Sequence, residues 1–223
     1  MSRGLGDVYK RQNSLWLMIL MLTASLGFTA CSEESGVEDP YANWEERNQH
    51  YIDSIADVAK QNPGEWKIIR NYKYQPDDNN LDANLSSQFD VNDYVYAKIL
   101  TSAPAESTVS PLFQDTVYVH YRGKMINGTV FDQSFYTDEL DLETAQPTSF
   151  AVNGVINGWT TVLQQMKVGD RWEVYIPSDL GYGMNPPSSS IVRTNSALIF
   201  DVTLVKIVHP KGIEPFAVAL KKE

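Results

Sequence analysis

The sequence predicts an α+β fold in which an antiparallel β-sheet wraps around one short α-helix, with a helical extension in front. Two patterns predict it. Residues i and i+2 of a strand point to the same face, so apolar residues that alternate indicate half-buried strands. Three segments alternate in this way, namely Val117, Val119 and Tyr121; Trp172, Val174 and Ile176; and Leu198, Phe200, Val202 and Leu204.

The short helix is predicted from a different spacing. Trp159, Val162, Leu163 and Met166 recur at i, i+3, i+4 and i+7, which places them on one helical face. Gly169 is predicted to close the turn into the next strand, and Asn127-Gly128 to form a hairpin turn. A pocket is expected between this helix and the concave face of the sheet.

The N-terminal extension contains a second, amphipathic helix. Asp39 followed by Pro40 is a favourable helix start, because a capping residue precedes proline at the first helical position. The helix is predicted to end before Asn62-Pro63-Gly64. Its apolar stripe could contact a second copy or a client, or could pack on the domain behind it; the stripe comprises Trp44, Tyr51, Ile52, Ile55, Val58 and Ala59.

The region between this helix and the main sheet predicts two further strands. They are residues 66–70 and 94–100, with a loop over 75–89 and a polar connection over 103–111. The chain is thus divided into a signal segment (1–30, with an additional leader), a tether and helical extension (31–90), a main domain (91–209) and a tail (210–223).

Composition excludes several functional classes. The formal net charge is −10, from 18 basic and 28 acidic residues, and no basic stripe suitable for nucleic acid is present. The three histidines, His50, His120 and His209, lack metal-ligand spacing, and no nucleophile elbow or phosphate-binding loop occurs. No metal and no cofactor are therefore expected.

The N-terminus is typical of a secretion signal. Lys10-Arg11 precede an apolar run from Leu15 to Phe28, which is short for a membrane span. Ala30 then precedes Cys31, the only cysteine. This resembles a bacterial lipoprotein signal, in which Cys31 would be lipidated and anchored in the outer membrane of a Gram-negative envelope, on the periplasmic side or the cell surface. The alternative is an ordinary secretory peptide with an incidental cysteine.

Five motif blocks in the second half of the chain together resemble one known family. They are Val119-His120-Tyr121-Arg122-Gly123, Gly128-Thr129-Val130-Phe131-Asp132, Val155-Ile156-Asn157-Gly158-Trp159, Tyr182-Gly183 and Ile199-Phe200-Asp201-Val202. Their order and spacing, from about Thr116 to Ile207, resemble an FKBP-type peptidyl-prolyl cis-trans isomerase domain.

The resemblance assigns roles to individual residues. It implies a proline-binding cavity lined by Tyr121, Phe131, Phe150, Val155, Ile156, Trp159 and Phe200, with Ile191 and Val192 in a flap above it. The Ile156 amide and the Tyr182 hydroxyl would donate hydrogen bonds to substrate carbonyls. Asp132 is expected at the cavity edge, bonded to the Tyr121 hydroxyl, as a group that shapes and polarises the pocket.

The function that follows is rotation of X–Pro bonds in exported proteins, without a covalent intermediate. The implied partners are proline-containing unfolded or exported polypeptides, tacrolimus-type macrolides as possible inhibitors, and the membrane through the lipid anchor. The alternative is a non-catalytic FKBP-like module that binds proline-containing partners in a surface complex.

Three features depart from compact members of that family. Thr148 stands where eukaryotic relatives have an aromatic residue, and Arg193-Thr194 replace a proline pair after the flap. No lysine or arginine lies between Asp132 and Phe150. The longer segment 136–148 is instead acidic, and could be a rim that attracts basic clients or simply a solvated loop.

Overall fold

The structure is a computed structural model that describes residues 39–74, 89–137, 139–142 and 144–211. The segment 1–38, with the signal and Cys31, lies outside the described residues, as does most of the predicted loop 75–89. The described residues from Pro40 onward form one compact unit. In the part of the chain that the structure describes, no helix is long and apolar enough to cross a membrane.

Two α-helices and seven strands make up this unit. The helices are α1 (Trp44–Gln61) and α2 (Asn157–Leu163). The strands are β1 (Trp66–Arg70), β2 (Tyr94–Thr101), β3 (Thr116–Met125), β4 (Val130–Gln133), β5 (Thr148–Ala151), β6 (Arg171–Ile176) and β7 (Leu198–Val208). The predicted α+β class is confirmed, and each alternating segment lies in a strand.

All strand pairs are antiparallel, and the sheet order is β1-β2-β6-β7-β3-β4. The long strand β3 pairs with β7 along one edge. Its other edge is shared, since β5 pairs with residues 116–119 and β4 with residues 122–124. The two short strands thus approach the middle of β3 from opposite ends, and they bring Asp132 and Phe150 near Tyr121.

The main core lies between the sheet and α2. The inward positions predicted on β3, β6 and β7 are all buried, as are Trp159, Val162, Leu163 and Met166. Gly158 lets α2 approach the sheet, because a Cβ atom at residue 158 would lie 2.5 Å from Cγ2 of Ile176. Gly169 has the positive φ (99°) of the predicted turn.

A second apolar layer lies on the opposite face of the sheet, under α1. Ile52, Ala56 and Ala59 of the helix are buried with Trp66, Tyr96, Tyr175 and Ile199 of the strands. Of the two interpretations of the amphipathic stripe, packing on the domain behind it is therefore the one that the structure contains. Alternate residues of β6 and β7 face opposite sides of the sheet, and Tyr175 and Ile199 are the residues of these strands that belong to the second layer.

The predicted start of α1 is wrong by four residues. The helix begins at Trp44, and Asn43 before it has a left-handed backbone (φ 50°) instead of Pro40 being the first helical residue. The reason lies in the preceding turn. The Arg47 guanidinium donates hydrogen bonds to the carbonyl oxygens of Pro40 and Ala42, at 2.8 and 3.3 Å, so these acceptors are satisfied outside a helix.

The acidic segment after β4 has no regular structure in its described residues. Tyr136 is 88% exposed and Leu142 61%, while Phe135 is buried beneath the Arg122 guanidinium at 4.4 Å. Most of the segment is exposed, which is the arrangement expected for a solvated loop.

Candidate active site

A cavity of about 250 Å³ opens between α2 and the concave face of the sheet. Nine residues line it, namely Tyr121, Asp132, Phe150, Gly154, Val155, Ile156, Trp159, Tyr182 and Phe200. Eight of these were predicted from the sequence. Gly154 was not, although its position directly before Val155 in the motif was a usable signal.

Trp159 forms the centre of an aromatic cluster. Its ring meets those of Tyr121, Phe150 and Phe200 edge to face, with centroids 5.3, 5.5 and 5.2 Å away. Edge-to-face pairs at such distances are favourable because the positive ring edge meets the negative ring face. The indole comes from the first turn of α2, and the other rings come from β3, β5 and β7, so the sheet and helix must both form before the cluster exists.

Phe131 supports the cluster from outside. Its ring packs edge to face on Phe200 with centroids 5.5 Å apart, and it does not line the cavity. The close approach depends on Gly123 of β3. A Cβ atom there would lie 2.6 Å from Phe200 and 2.7 Å from Phe131, so a larger residue would displace both rings.

Two residues that line the cavity carry donors without a partner in the described part of the chain. The Ile156 amide, directly before α2, has no hydrogen-bond acceptor among the described residues, and neither has the Tyr182 hydroxyl. The first turn of a helix leaves its N–H groups unpaired, which explains why this amide is available. Burial and then the nearby charge of Asp132 raise the pKa of Tyr182 above its ordinary value, so its hydroxyl stays a donor at neutral pH.

Asp132 lies at the rim. Its Oδ2 accepts a hydrogen bond from the Tyr121 hydroxyl at 2.8 Å, and its Oδ1 accepts one from the Gln133 amide at 2.9 Å. The residue is exposed, more so than the half-buried carboxylate expected from the sequence, because β4 is an edge strand. Burial, and secondarily the bond to Asp132, raise the pKa of Tyr121. No ion pair to Asp132 occurs within the described ranges.

The two residues predicted for a flap are not among those that line the cavity. Val192 is buried in the main core at 5% exposure, and Ile191 is 56% exposed on the surface. Neither lines the cavity, so their contact with a substrate stays a prediction. No group of three or more acidic, histidine or cysteine side chains able to hold a metal ion is found in the described ranges.

Comparisons with known proteins show which family the domain resembles. Residues 108–205 match the family model "FKBP-type peptidyl-prolyl cis-trans isomerase". Two relatives match stretches of similar length. The peptidyl-prolyl cis-trans isomerase Mip of Coxiella burnetii is 41% identical over 98 residues, which are 44% of this chain and 39% of that protein. The outer membrane protein MIP of Legionella longbeachae is 39% identical over 103 residues, 46% of this chain and 41% of the relative.

The chain spans less than half the length of these relatives. The fold is similar to that of a solved structure over a larger part of the chain. The crystal structure of FkpA from Escherichia coli covers 92% of this chain and 75% of its own, with a TM-score of 0.50 and 24% sequence identity. The family match and the Coxiella relative agree with the geometry of the cavity, and residues 108–205 of this chain are similar to the FKBP-type peptidyl-prolyl cis-trans isomerase family.

Proposed function

We propose that this protein is a peptidyl-prolyl cis-trans isomerase that rotates X–Pro bonds in exported polypeptides. The observation that carries the proposal is the cavity itself. An indole floor, three further aromatic walls and two unpaired donors converge on about 250 Å³, a space suited to a proline ring and its flanking carbonyls.

The chemistry requires no bond cleavage. Rotation of a peptide bond is opposed by a barrier of about 18–20 kcal/mol, because amide resonance keeps the bond planar. The twisted state has lost that resonance, so its carbonyl is less polar than the planar one. A water-poor apolar cavity therefore favours the twisted state over the planar state, and this difference is what lowers the barrier.

Each residue of the cavity would have a separate role. Trp159 and the surrounding rings would hold the proline. The Ile156 amide and the Tyr182 hydroxyl would fix carbonyl groups of the flanking chain while the bond turns, and Tyr121 with Asp132 would set the polarity of the rim. Each tenfold gain in rate needs about 1.4 kcal/mol of preference for the twisted state, which is within reach of one or two such contacts.

A refolding assay limited by a proline isomerisation tests the proposal. The protein at substoichiometric amounts should accelerate refolding, and a tacrolimus-type macrolide that fills the cavity should abolish the acceleration. Acceleration that the macrolide leaves unchanged would still support isomerase activity. Thr148 and Arg193 would then be the first residues to replace with those typical of the family, to test whether they prevent macrolide binding. A folded protein that binds proline peptides without accelerating refolding would instead support a non-catalytic module.

The location is proposed on separate grounds. Export is supported by the basic pair Lys10-Arg11 and the apolar run that follows it. Lipidation at Cys31 is supported by the small residue Ala30 directly before it. The name of the Legionella relative, an outer membrane protein, supports the cell envelope. Cys31→Ala should move the protein from the membrane fraction to the soluble fraction, whereas the matched variant Ser32→Ala should not. Retention of Cys31→Ala in the membrane would contradict the anchor.

A further inference from the structure

The start of α1 contacts the segment that leads into β7. The indole Nε1 of Trp44 donates a hydrogen bond of 2.9 Å to Oγ of Ser196, although 152 residues separate them. The Ser196 hydroxyl in turn donates to the carbonyl oxygen of Arg193 at 2.7 Å. Trp44 and Ser196 are 8% and 2% exposed, so water does not compete for these bonds.

Asn48, one turn later in α1, holds the next residue. Its side-chain Oδ1 accepts a hydrogen bond from the Ala197 amide at 2.8 Å, and its Nδ2 donates to the Trp44 carbonyl at 2.6 Å. Asn48 is only 3% exposed. A buried amide that is bonded at both ends has a fixed orientation, so α1 fixes the backbone of Ala197 directly.

A third contact lies at the surface of the same segment. The Arg193 guanidinium lies 4.3 Å from the centre of the Tyr41 ring, and that ring packs edge to face on Trp44. Residues 41–48 therefore contact Arg193, Ser196 and Ala197. We name residues 193–197 the bridging segment.

The bridging segment is bonded in turn to the loop that carries Tyr182. The Asn195 amide donates a hydrogen bond of 2.9 Å to the carbonyl oxygen of Gly183, the residue after Tyr182. Asn195 has a left-handed backbone (φ 58°), one of two non-glycine residues with positive φ among the described residues. Asparagine adopts this conformation more readily than most other residues, and the bonds on Ser196 and Ala197 fix the chain directly after it.

We propose that Trp44 and Asn48 are positioning residues of the isomerase site, which place the Tyr182 hydroxyl by way of the bridging segment. This rests on the proposed function. The path has three links, from α1 to Ser196 and Ala197, from Asn195 to Gly183, and from Gly183 to Tyr182. A hydrogen bond weakens steeply with distance and angle, so a small shift of this loop would cost much of the contact between Tyr182 and a substrate carbonyl.

A double-mutant cycle separates positioning from simple stabilisation. Trp44→Phe keeps an aromatic ring and removes only the N–H donor. We expect it to lower kcat/KM for a proline tetrapeptide about threefold, the effect of one hydrogen bond of ordinary strength. In a Tyr182→Phe background the same change should lower kcat/KM by less than about 1.5-fold, because the group it positions is gone.

The matched control is Ala59→Gly. Ala59 is buried in the same helix against the same sheet, and glycine there weakens the helix without touching the bridging segment. It should leave kcat/KM unchanged at a temperature where all variants are folded. Ser196→Ala removes the acceptor of the Trp44 bond and also the bond to the Arg193 carbonyl oxygen, so it should lower kcat/KM at least as much as Trp44→Phe does. It is the second variant to use if Trp44→Phe folds poorly.

Hydrogen exchange of the Asn195 amide gives a readout that does not depend on activity. We expect this amide to exchange several-fold faster in Trp44→Phe and Ser196→Ala than in the wild type, and at the wild-type rate in Ala59→Gly. Unchanged exchange, or an equal loss of kcat/KM in the Tyr182→Phe background, would overturn the positioning role. A wild type without isomerase activity but with the expected exchange pattern would instead overturn the proposed function and leave the coupling of α1 to the Tyr182 loop established.

Discussion

The Tyr121 hydroxyl donates a hydrogen bond of 2.8 Å to the Asp132 carboxylate across the β3–β4 pair. Gly123, not Tyr121, lies opposite Asp132 in the register, so the bond joins a diagonal pair. Diagonal neighbours are within reach only of long or aromatic side chains, and the Tyr121 phenol is long enough to span the distance. A buried phenol is thereby tied to an exposed carboxylate at the mouth of the cavity.

Asp132 should make the enzyme favour basic substrates. Its carboxylate has no ion pair within the described ranges, and its charge acts on the Tyr182 hydroxyl inside the cavity. At low ionic strength we expect kcat/KM to be a few-fold higher for Lys-Pro than for Glu-Pro peptides. Asp132→Asn and added salt should both reduce this ratio, since salt screens exposed charges. An unchanged ratio in Asp132→Asn would show that the carboxylate does not select substrates.

Tyr182→Phe should lower kcat/KM about three- to tenfold and leave the fold intact. The change removes one donor whose bond to a substrate carbonyl is of ordinary strength, while the half-buried ring keeps its packing. Kinetics on a Leu-Pro peptide and the unfolding midpoint measure the two effects. Tyr121→Phe is the comparison, because it removes a hydroxyl that is already bonded to Asp132. Full activity in Tyr182→Phe would assign carbonyl binding to the Ile156 amide alone.

Trp159→Ala should destabilise the domain by about 3–5 kcal/mol, the usual cost of deleting a large buried aromatic side chain. The indole is 5% exposed and contacts three other rings, so the cavity would be left without a floor. Denaturant unfolding measures the loss. Trp159→Phe keeps part of the ring contact and should cost less. Equal stability of Trp159→Ala and Trp159→Phe would mean that the surrounding residues move into the space that the indole leaves.

Stability should decrease when the pH falls below about 6.5, because His120 is 2% exposed and its burial lowers its pKa. Between the lowered folded pKa and the ordinary value of 6.5, the unfolded chain binds the proton and the folded chain does not. Protonation therefore favours unfolding in that range. Unfolding midpoints measured from pH 8 to pH 5 should show a smaller decrease in His120→Gln than in the wild type. If the midpoints of both proteins decreased in parallel, the pH dependence would come from groups other than His120.

Catalysis should persist to about pH 10. The unperturbed phenol titrates near 10, and burial together with the charge of Asp132 raises the pKa of Tyr182 above that value. The hydroxyl donor is therefore retained where an exposed tyrosine would be half ionised. A peptide assay from pH 7 to pH 10.5 tests this, with Tyr182→Phe as the control for other titrations. A loss of activity centred below pH 10 in the wild type alone would contradict it.

Most of the cavity could be predicted because its residues fall within short motifs. Val155, Ile156 and Trp159 lie within five positions of each other, in the motif block whose resemblance to the family assigned them to the cavity. Tyr121 and Phe200 were predictable from strand alternation, which states which face each side chain occupies. Whether Ile191 and Val192 line the cavity was harder to predict, because a loop has no regular period that indicates the exposure of each residue.

The helix start shows a different limit. Asp39-Pro40 is a favourable local start, but the Arg47 side chain and the contacts of Tyr41 and Trp44 with residues 193–196 move the first helical turn to Trp44. Propensity is a weak prior that such tertiary contacts override. Nothing in the local sequence around Trp44 points to a serine 152 residues away.

The sequence by itself determined the periodic features of this protein. These are the strands, the apolar face of each, the short helix beneath the sheet and the order of the motifs, because side-chain direction follows from backbone period. Only the tertiary structure decided that α1 covers the back of the sheet, that Asp132 remains exposed at an edge strand, and that Trp44 and Asn48 reach the segment bonded to the Tyr182 loop. Such contacts join residues far apart in the chain, and depend on distances that no local pattern encodes.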